Sequence, residues 1–307
     1  DGAGLTSIAS VGGDDYRFLD VRLDSQGAGG GRTLNWGGNR LVVDNSILIG
    51  GSNFLNGSAR IDGVDFYGTD NAGYILMTWA QRHVSVTRCT ARDLDASQPG
   101  GYWQGRFFVA QQEGGYERGM YVGDCETIDA SPPGGGNTGE QILFENGDWY
   151  HHGQADEITS DTIRFDDMLV IPETYMRVVV IEGKGLGQVR RVKAYDPVSG
   201  MITLDAPWRV QPDGGSLLAV VNYAERTAIY GNTLDAKAEA YLDETHYASS
   251  GVQVYMGGQE IIADANTFHE LREGISLWGV SHPDEVPLPQ FFNVYQNNTF
   301  DQVRWGV

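Results

Sequence analysis

The sequence predicts an all-β chain wound as a three-sided parallel β-helix, with a small antiparallel β-module inserted part-way along. Three observations carry this expectation. Six short segments repeat one pattern, in which a small polar or Cys residue and a nearby apolar residue lead through a variable stretch into a strand-like run. Their spacing fits one solenoid turn with a modest loop: Cys89 to Cys125 is 36 residues, Asn232 to Asn266 is 34 and Asn266 to Asn298 is 32. Glycine is abundant, at 42 of 307 residues against 10 prolines, which suits short strands joined by tight turns. Helical spacing of apolar residues is almost absent, and only residues 236–243 read as one short helical turn within a loop.

In chain order, Gly63-Val64-Asp65-Phe66 leads to Tyr74-Ile75-Leu76-Met77-Thr78, preceded by a nearly loop-free turn of 18 residues from Asn45 to Gly63. Cys89-Thr90-Ala91 then leads to Arg106-Phe107-Phe108-Val109, and Cys125-Glu126-Thr127-Ile128 to Gln141-Ile142-Leu143-Phe144-Glu145. Asn232-Thr233-Leu234 leads to Gly251-Val252-Gln253-Val254-Tyr255, Asn266-Thr267-Phe268 to Gly274-Ile275-Ser276-Leu277-Trp278, and Asn298-Thr299-Phe300 to Gln302-Val303-Arg304-Trp305. Asn at a stacked corner tolerates left-handed backbone and can hydrogen-bond to the next Asn along the ladder. Cys89 and Cys125 occupy one position in adjacent turns, where parallel side chains rarely bridge; they read as small buried groups.

One interval breaks the period. Cys125 to Asn232 is 107 residues, so about 70 residues are inserted after the strand ending at Glu145. Within it, 176–182, 188–195, 201–204 and 216–222 read as strands, and Asp196-Pro197-Val198-Ser199-Gly200 as a turn. This divides the chain into β-helix turns over 1–150, an inserted module over 151–224, and further turns over 225–307. The run Gly183-Lys184-Gly185-Leu186-Gly187-Gln188 lacks the Gly-Lys-Ser/Thr ending and following helix of a phosphate loop, and reads as a turn. Both ends stop within the repeat, with no signal peptide at Asp1, so the expectation is a processed or excised chain that continues as solenoid or further domains in both directions.

Composition narrows the function. With 41 acidic against 21 basic residues, a net charge of −20 and only three lysines, the chain is a poor binder of nucleic-acid phosphates. No apolar run is long enough to span a membrane.

Alternating the six strands in and out places Ile75, Met77, Phe107, Val109, Ile142, Phe144, Val252, Val254, Ile275 and Leu277 inward. The outward ladder then reads Leu76, Thr78, Phe108, Ala110, Leu143, Glu145, Gln253, Tyr255, Ser276, Trp278 and Arg304. Outward aromatic and aliphatic side chains are unusual on a face that simply meets water. Long loops precede this strand in several turns, and the module follows it, so loops would wall a groove along one face. Those loops carry Tyr102, Trp103, Trp149, Tyr150, Tyr241 and Tyr247 beside carboxylates and amides, a composition suited to sugars.

These features resemble the right-handed parallel β-helix carbohydrate-active proteins of the pectate-lyase-like superfamily. The resemblance rests on the stacked Asn-Thr-Phe/Leu turns and covers nearly all residues outside the module. It implies the architecture and a sugar polymer as ligand, with polysaccharide lyases, glycoside hydrolases, epimerases and phage tailspikes all within range. The module itself resembles a small β-domain of phage tail and β-helix proteins, through Gly185-Leu186-Gly187-Gln188-Val189-Arg190-Arg191, Pro207-Trp208 and Pro212-Asp213. An extracellular or cell-surface setting follows from the same resemblance. No full pectate lyase or polygalacturonase active-site signature is present.

Glu145 is the leading catalytic candidate, as the one acidic residue on the outward ladder, with Leu143 and Phe108 nearby to raise its pKa. Asp148 or His152, just beyond it, would supply the partner that glycoside hydrolysis needs. Glu244 and His246 would face it from the loop before Tyr255. Phe108, Trp103, Trp149, Tyr247, Tyr255, Trp278 and Arg304 are the expected substrate contacts. His151-His152 lacks a third spaced metal ligand, and no metal site is expected. The expected function is an endo-acting glycoside hydrolase on an extracellular polysaccharide, requiring no cofactor. Two alternatives stay open: a lyase cleaving a uronate-containing polymer by β-elimination, with Ca²⁺ or Arg neutralising the uronate, and a non-catalytic glycan-binding tailspike or adhesin shaft.

Overall fold

The computed structural model describes residues 8–10, 13–24, 33–50, 53–68, 74–79, 83–92, 106–111, 118–130, 139–145, 149–236, 250–255, 257–278 and 290–307; at 8–10, 74, 79, 111 and 149 the backbone alone is described. The chain is a parallel β-helix with three walls of eight parallel strands each. The first wall stacks Ile8–Ser10, Leu34–Gly37, Asn53–Asn56, Tyr74–Trp79, Arg106–Gln111, Ile142–Glu145, Ser250–Tyr255 and Glu273–Trp278. The second runs from Arg17–Leu19 to Val294–Gln296, and the third from Arg22–Asp24 to Thr299–Asp301. The eight turns include two before the six read as repeats, with corners at Asp20 and Asn45.

The corner between the second and third walls explains that mark. In every turn it holds one residue with left-handed backbone: Asp20, Asn45, Gly63, Arg88, Asp124, Gly231, Ala265 and Asn297. The anchor residue follows it and points inward. Thus the asparagine that anchors each late turn is not the strained residue, as expected, but the one after it. Asn232 Nδ2 donates to Asn266 Oδ1 at 2.9 Å and Asn266 Nδ2 to Asn298 Oδ1 at 3.0 Å. The same oxygens accept the backbone N–H groups of Asn232 and Asn266, both at 3.0 Å. Asn232 and Asn266 are buried, so this ladder satisfies polar groups that water cannot reach. It abuts Cys125, whose N–H donates to Asn232 Oδ1 at 3.0 Å. Cys89 and Cys125 are buried free thiols, and its neighbour Cys125 together with burial pushes the Cys89 thiol up.

Inside the walls runs one continuous apolar core that includes Trp36, Phe66, Phe107, Phe108, Phe144 and Phe268. Each such ring removed from water contributes about 1.5–3 kcal/mol, so consecutive turns are held chiefly by their inward side chains.

The inserted module begins directly after the first-wall strand of the sixth turn. It is a seven-stranded antiparallel sheet in the order Trp149–Gln154, Leu217–Val221, Arg177–Glu182, Val189–Asp196, Met201–Leu204, Thr162–Arg164 and Glu157–Ile158. The four strands expected here are present; Trp149–Gln154, Glu157–Ile158 and Thr162–Arg164 are additional. One face encloses a separate core with Phe165, Val178, Val192 and Trp208, and the other packs Val179, Val221 and Tyr223 with Phe291 of the solenoid's last turn. The glycine-rich run is the expected tight turn. Gly183, Gly185 and Gly187 all have positive φ, and Gln188 clamps the turn by donating to Val210 O at 2.6 Å and accepting from the Arg209 N–H at 2.8 Å. No helix among the described residues is long and apolar enough to cross a membrane.

Candidate functional site

Strand pairing on the first wall fixes which residues share a ladder. One outward ladder aligns Phe54, Met77, Val109, Leu143, Gln253 and Ser276, and the next aligns Glu145, Tyr255 and Trp278. Between them, on the core side, lies Leu55-Thr78-Ala110-Phe144-Val254-Leu277. The expected alternation therefore holds for the strands carrying Glu145, Tyr255 and Trp278. It is off by one residue in Tyr74–Trp79 and Arg106–Gln111. There the strand is entered through two consecutive core residues, Ile75-Leu76 and Phe107-Phe108, where the strand carrying Glu145 has Gln141 and the two after it have Gly251 and Gly274 at the first of the pair. A one-residue slip exchanges the faces of a whole strand. Phe108 is consequently buried, tilted against Phe144 at 6.0 Å, and cannot touch a ligand.

Arg304 is also displaced from its expected place. Glu273 bridges Trp305 rather than an earlier residue, so the last first-wall segment begins at Trp305, and Arg304 precedes it. Left-handed Gln302 repeats the corner of Glu270, which carries Val303 into the core beneath Leu271. The Arg304 guanidinium lies over the Trp305 ring, 4.9 Å from its centre.

Three expected residues do come together. Glu145, Tyr255 and Trp278 occupy equivalent positions on three consecutive strands, spaced about 4.8 Å apart. The Tyr255 and Trp278 rings are 6.0 Å apart and tilted by 43°, and Trp278 is 45 % exposed. Beside them, Gln253 and Ser276 supply amide and hydroxyl groups on the neighbouring outward ladder. Burial pushes the half-buried Glu145 carboxyl above its ordinary value; Arg106 opposes the shift and Glu140 adds to it.

Arg106 and Glu140 form a buried pair at the entry to adjacent strands, with Nη2 to Oε2 at 2.7 Å and Nε to Oε2 at 2.8 Å. Burial raises the Glu140 carboxyl despite Arg106. Glu140 was not singled out from the sequence; its one available signal was that it stands two residues before Ile142, as Arg106 stands two before Phe108, the partner of Ile142.

His152 is on the module, exposed and paired with Ala219, so it belongs to the antiparallel sheet rather than to the first-wall face. Its neighbour His151 packs edge-on against Phe165, with ring centroids 4.5 Å apart. Trp149 starts the same strand. Asp148, Glu244, His246, Trp103 and Tyr247 lie outside the described residues.

A different acidic group sits on the third wall, away from this face. His269 Nδ1 is 2.7 Å from Asp235 Oδ1 on the preceding turn, and Nε2 is 3.5 Å from Asp301 Oδ2 on the next. Asp235, His269 and Glu270 are close enough to share a metal ion. Calcium prefers six to eight oxygen ligands, however, and the imidazole is already engaged by Asp235. The hydrogen bond to Asp235 raises the His269 pKa, with Glu270 and Asp301 adding to it. A raised folded-state value means that the imidazolium adds stability in full below the unfolded value of about 6.5, and that this is lost as pH rises through the folded value. The melting temperature is therefore expected to fall more steeply with pH above 6.5 in the native chain than in His269→Gln. Because the pair is only partly buried, the difference is expected to stay below about 1 kcal/mol and to shrink in high salt.

Compared with protein-family models, curated proteins and solved structures, the chain matches none.

Proposed function

We propose that the protein binds a polysaccharide along the outward face of the first wall and hydrolyses it there, with Glu145 as the proton donor. One observation carries this reading: a half-buried carboxyl with a raised pKa is in register with the Tyr255–Trp278 pair. Aromatic rings stack on the apolar faces of pyranose units, and a carboxyl protonated above its ordinary range can protonate a glycosidic oxygen. The second carboxylate is sought among Asp148 and Glu244. Kinship with pectate-lyase-like proteins and an extracellular setting belong to the same proposal, supported by the stacked turns.

Elimination is the weaker alternative, because Arg106, whose charge acts on Glu145, is tied to buried Glu140. The test is incubation with a panel of neutral and uronate-containing polysaccharides, following reducing ends and the ultraviolet absorbance of unsaturated uronate. Reducing ends without absorbance support hydrolysis, and both together indicate a lyase. Binding without any product would make the face a glycan-holding shaft. Trp278→Ala is expected to weaken oligosaccharide binding about tenfold by calorimetry, the loss of one stacked ring of roughly 1–1.5 kcal/mol.

A further inference from the structure

On the third wall, Asp235, His269 and Asp301 stand in register on three successive turns, and Glu270 follows His269. We propose that Asp235, His269 and Glu270 bind one divalent transition-metal ion of the zinc type, with Asp301 as a positioning residue behind the imidazole. The ion would join two turns whose ligands are 34 residues apart in sequence. The cluster lies away from the first-wall face and its test reads ion binding alone, so it stands or falls independently of Glu145.

Ligand geometry is the first argument. One donor atom from each of the three residues lies within 4.8 Å of the other two. Ligands about 2.0–2.2 Å from a tetrahedral ion stand about 3.3–3.6 Å apart, so the set closes on an ion with side-chain movements of at most about 1.5 Å. One imidazole nitrogen with two carboxylates is a donor set that zinc accepts, with water in the fourth position, whereas it falls short of the oxygen shell of calcium. The Asp235 and His269 side chains are 28 % and 36 % exposed, so an ion in solution reaches them.

The imidazole supplies the second argument, because a carboxylate stands at each of its nitrogens. Nδ1 is 2.7 Å from Asp235 Oδ1, and Nε2 is 3.5 Å from Asp301 Oδ2, which a small ring rotation turns into a hydrogen bond. A neutral imidazole carries one N–H. Directed from Nε2 towards Asp301, that hydrogen leaves the Nδ1 lone pair facing an Asp235 oxygen, two acceptors that require a cation between them. A metal-ligating histidine characteristically donates its other N–H to a carboxylate, which fixes the tautomer and strengthens the ligand. The contact between His269 and Asp235 is therefore no obstacle: the ion takes the place of the shared proton, which leaves to solvent.

The main chain beneath is held from the core. The Asp235 N–H donates to Thr127 Oγ1 and its carbonyl accepts from Gln141 Nε2, both at 3.0 Å and both to buried partners. The Glu270 N–H donates to Asp301 O at 3.1 Å. Ligands carried on strands fixed in this way keep their places before the ion arrives, which lowers the cost of ordering them.

The experiment is calorimetry on the whole chain, treated with a chelator and dialysed, then titrated separately with Zn²⁺, Mn²⁺, Ca²⁺ and Mg²⁺. One equivalent of Zn²⁺ is expected to bind, more tightly than Mn²⁺ and about a hundredfold more tightly than Ca²⁺ or Mg²⁺. Zn²⁺ is expected to raise the melting temperature of the native chain and not that of His269→Gln. Asp301→Asn is expected to weaken Zn²⁺ roughly 10–100-fold, the usual effect of losing an outer carboxylate, and His269→Gln to weaken it more. Asp301 is exposed, so Asp301→Asn carries the test should His269→Gln fail to fold. Absence of Zn²⁺ binding, equal affinity for Ca²⁺, or Zn²⁺ affinity unchanged in these variants overturns the proposal and leaves the cluster as a hydrogen-bonded corner of the solenoid.

Discussion

Glu145→Gln is expected to lower the rate of polysaccharide cleavage by at least two orders of magnitude while leaving oligosaccharide affinity within about twofold. General acid catalysis by one positioned group contributes about 10²–10⁴-fold, and glutamine keeps the shape and hydrogen-bonding reach of the side chain but cannot supply a proton. Stability is not expected to suffer near neutral pH, because the substitution removes a charge that burial disfavours. The native pH profile provides a second readout. Since the reactive form is the protonated one, activity is expected to decline as pH rises through a pKa above the ordinary glutamate value of about 4.3, and that limb should be absent from the residual activity of Glu145→Gln. Full activity in the variant would remove Glu145 from the mechanism. Unchanged cleavage in Trp278→Ala as well would move the site off the first wall altogether.

Asn266→Ala is expected to be the most damaging single change to the solenoid away from its apolar core. The side chain accepts from the N–H and Nδ2 of Asn232 and donates to Ile229 O and Asn298 Oδ1, all at 2.9–3.0 Å. Alanine would leave those groups unpaired where burial keeps water out. At about 1–3 kcal/mol for each stranded group, less local relaxation, the net loss is expected near 3 kcal/mol, or about 5 °C in melting temperature for a chain of this size. Asn298→Ala, at the exposed end of the ladder, is expected to cost less than half as much. Equal losses at the two positions, measured by denaturant titration, would show that the ladder does not act through buried polar groups.

Both predictions draw on features of unequal visibility in the sequence. The asparagine ladder was legible because identical residues at intervals of 34 and 32 leave few alternatives to stacking. Its geometry was not: the left-handed backbone falls one residue earlier, on Gly231, Ala265 and Asn297, and alanine among these gives no sign of such a conformation by type. The alignment of Glu145, Tyr255 and Trp278 was equally legible, since the Tyr255 and Trp278 strands alternate apolar and polar residues and Glu145 ends its own apolar run at the matching position. The strand holding Phe108 was misread because Phe107-Phe108-Val109-Ala110 is apolar on both faces, and periodicity carries no phase in such a run. Arg304 was misplaced for a related reason: the corner before it, with left-handed Gln302, has no residue type to mark it.

The sequence by itself determined the class of fold, with its inserted antiparallel module, and the residues that anchor the later turns. Those follow from repetition and from the number of residues that a turn consumes. The tertiary structure alone decided the phase of each strand, and with it which side chains face a ligand. It alone also decided the meetings across long intervals: Arg106 with Glu140, Asp235 with His269, and the module's Arg177 with Glu225. Such contacts arise because stacking brings together residues a full turn or a whole module apart, and local pattern carries no record of what lies one strand above.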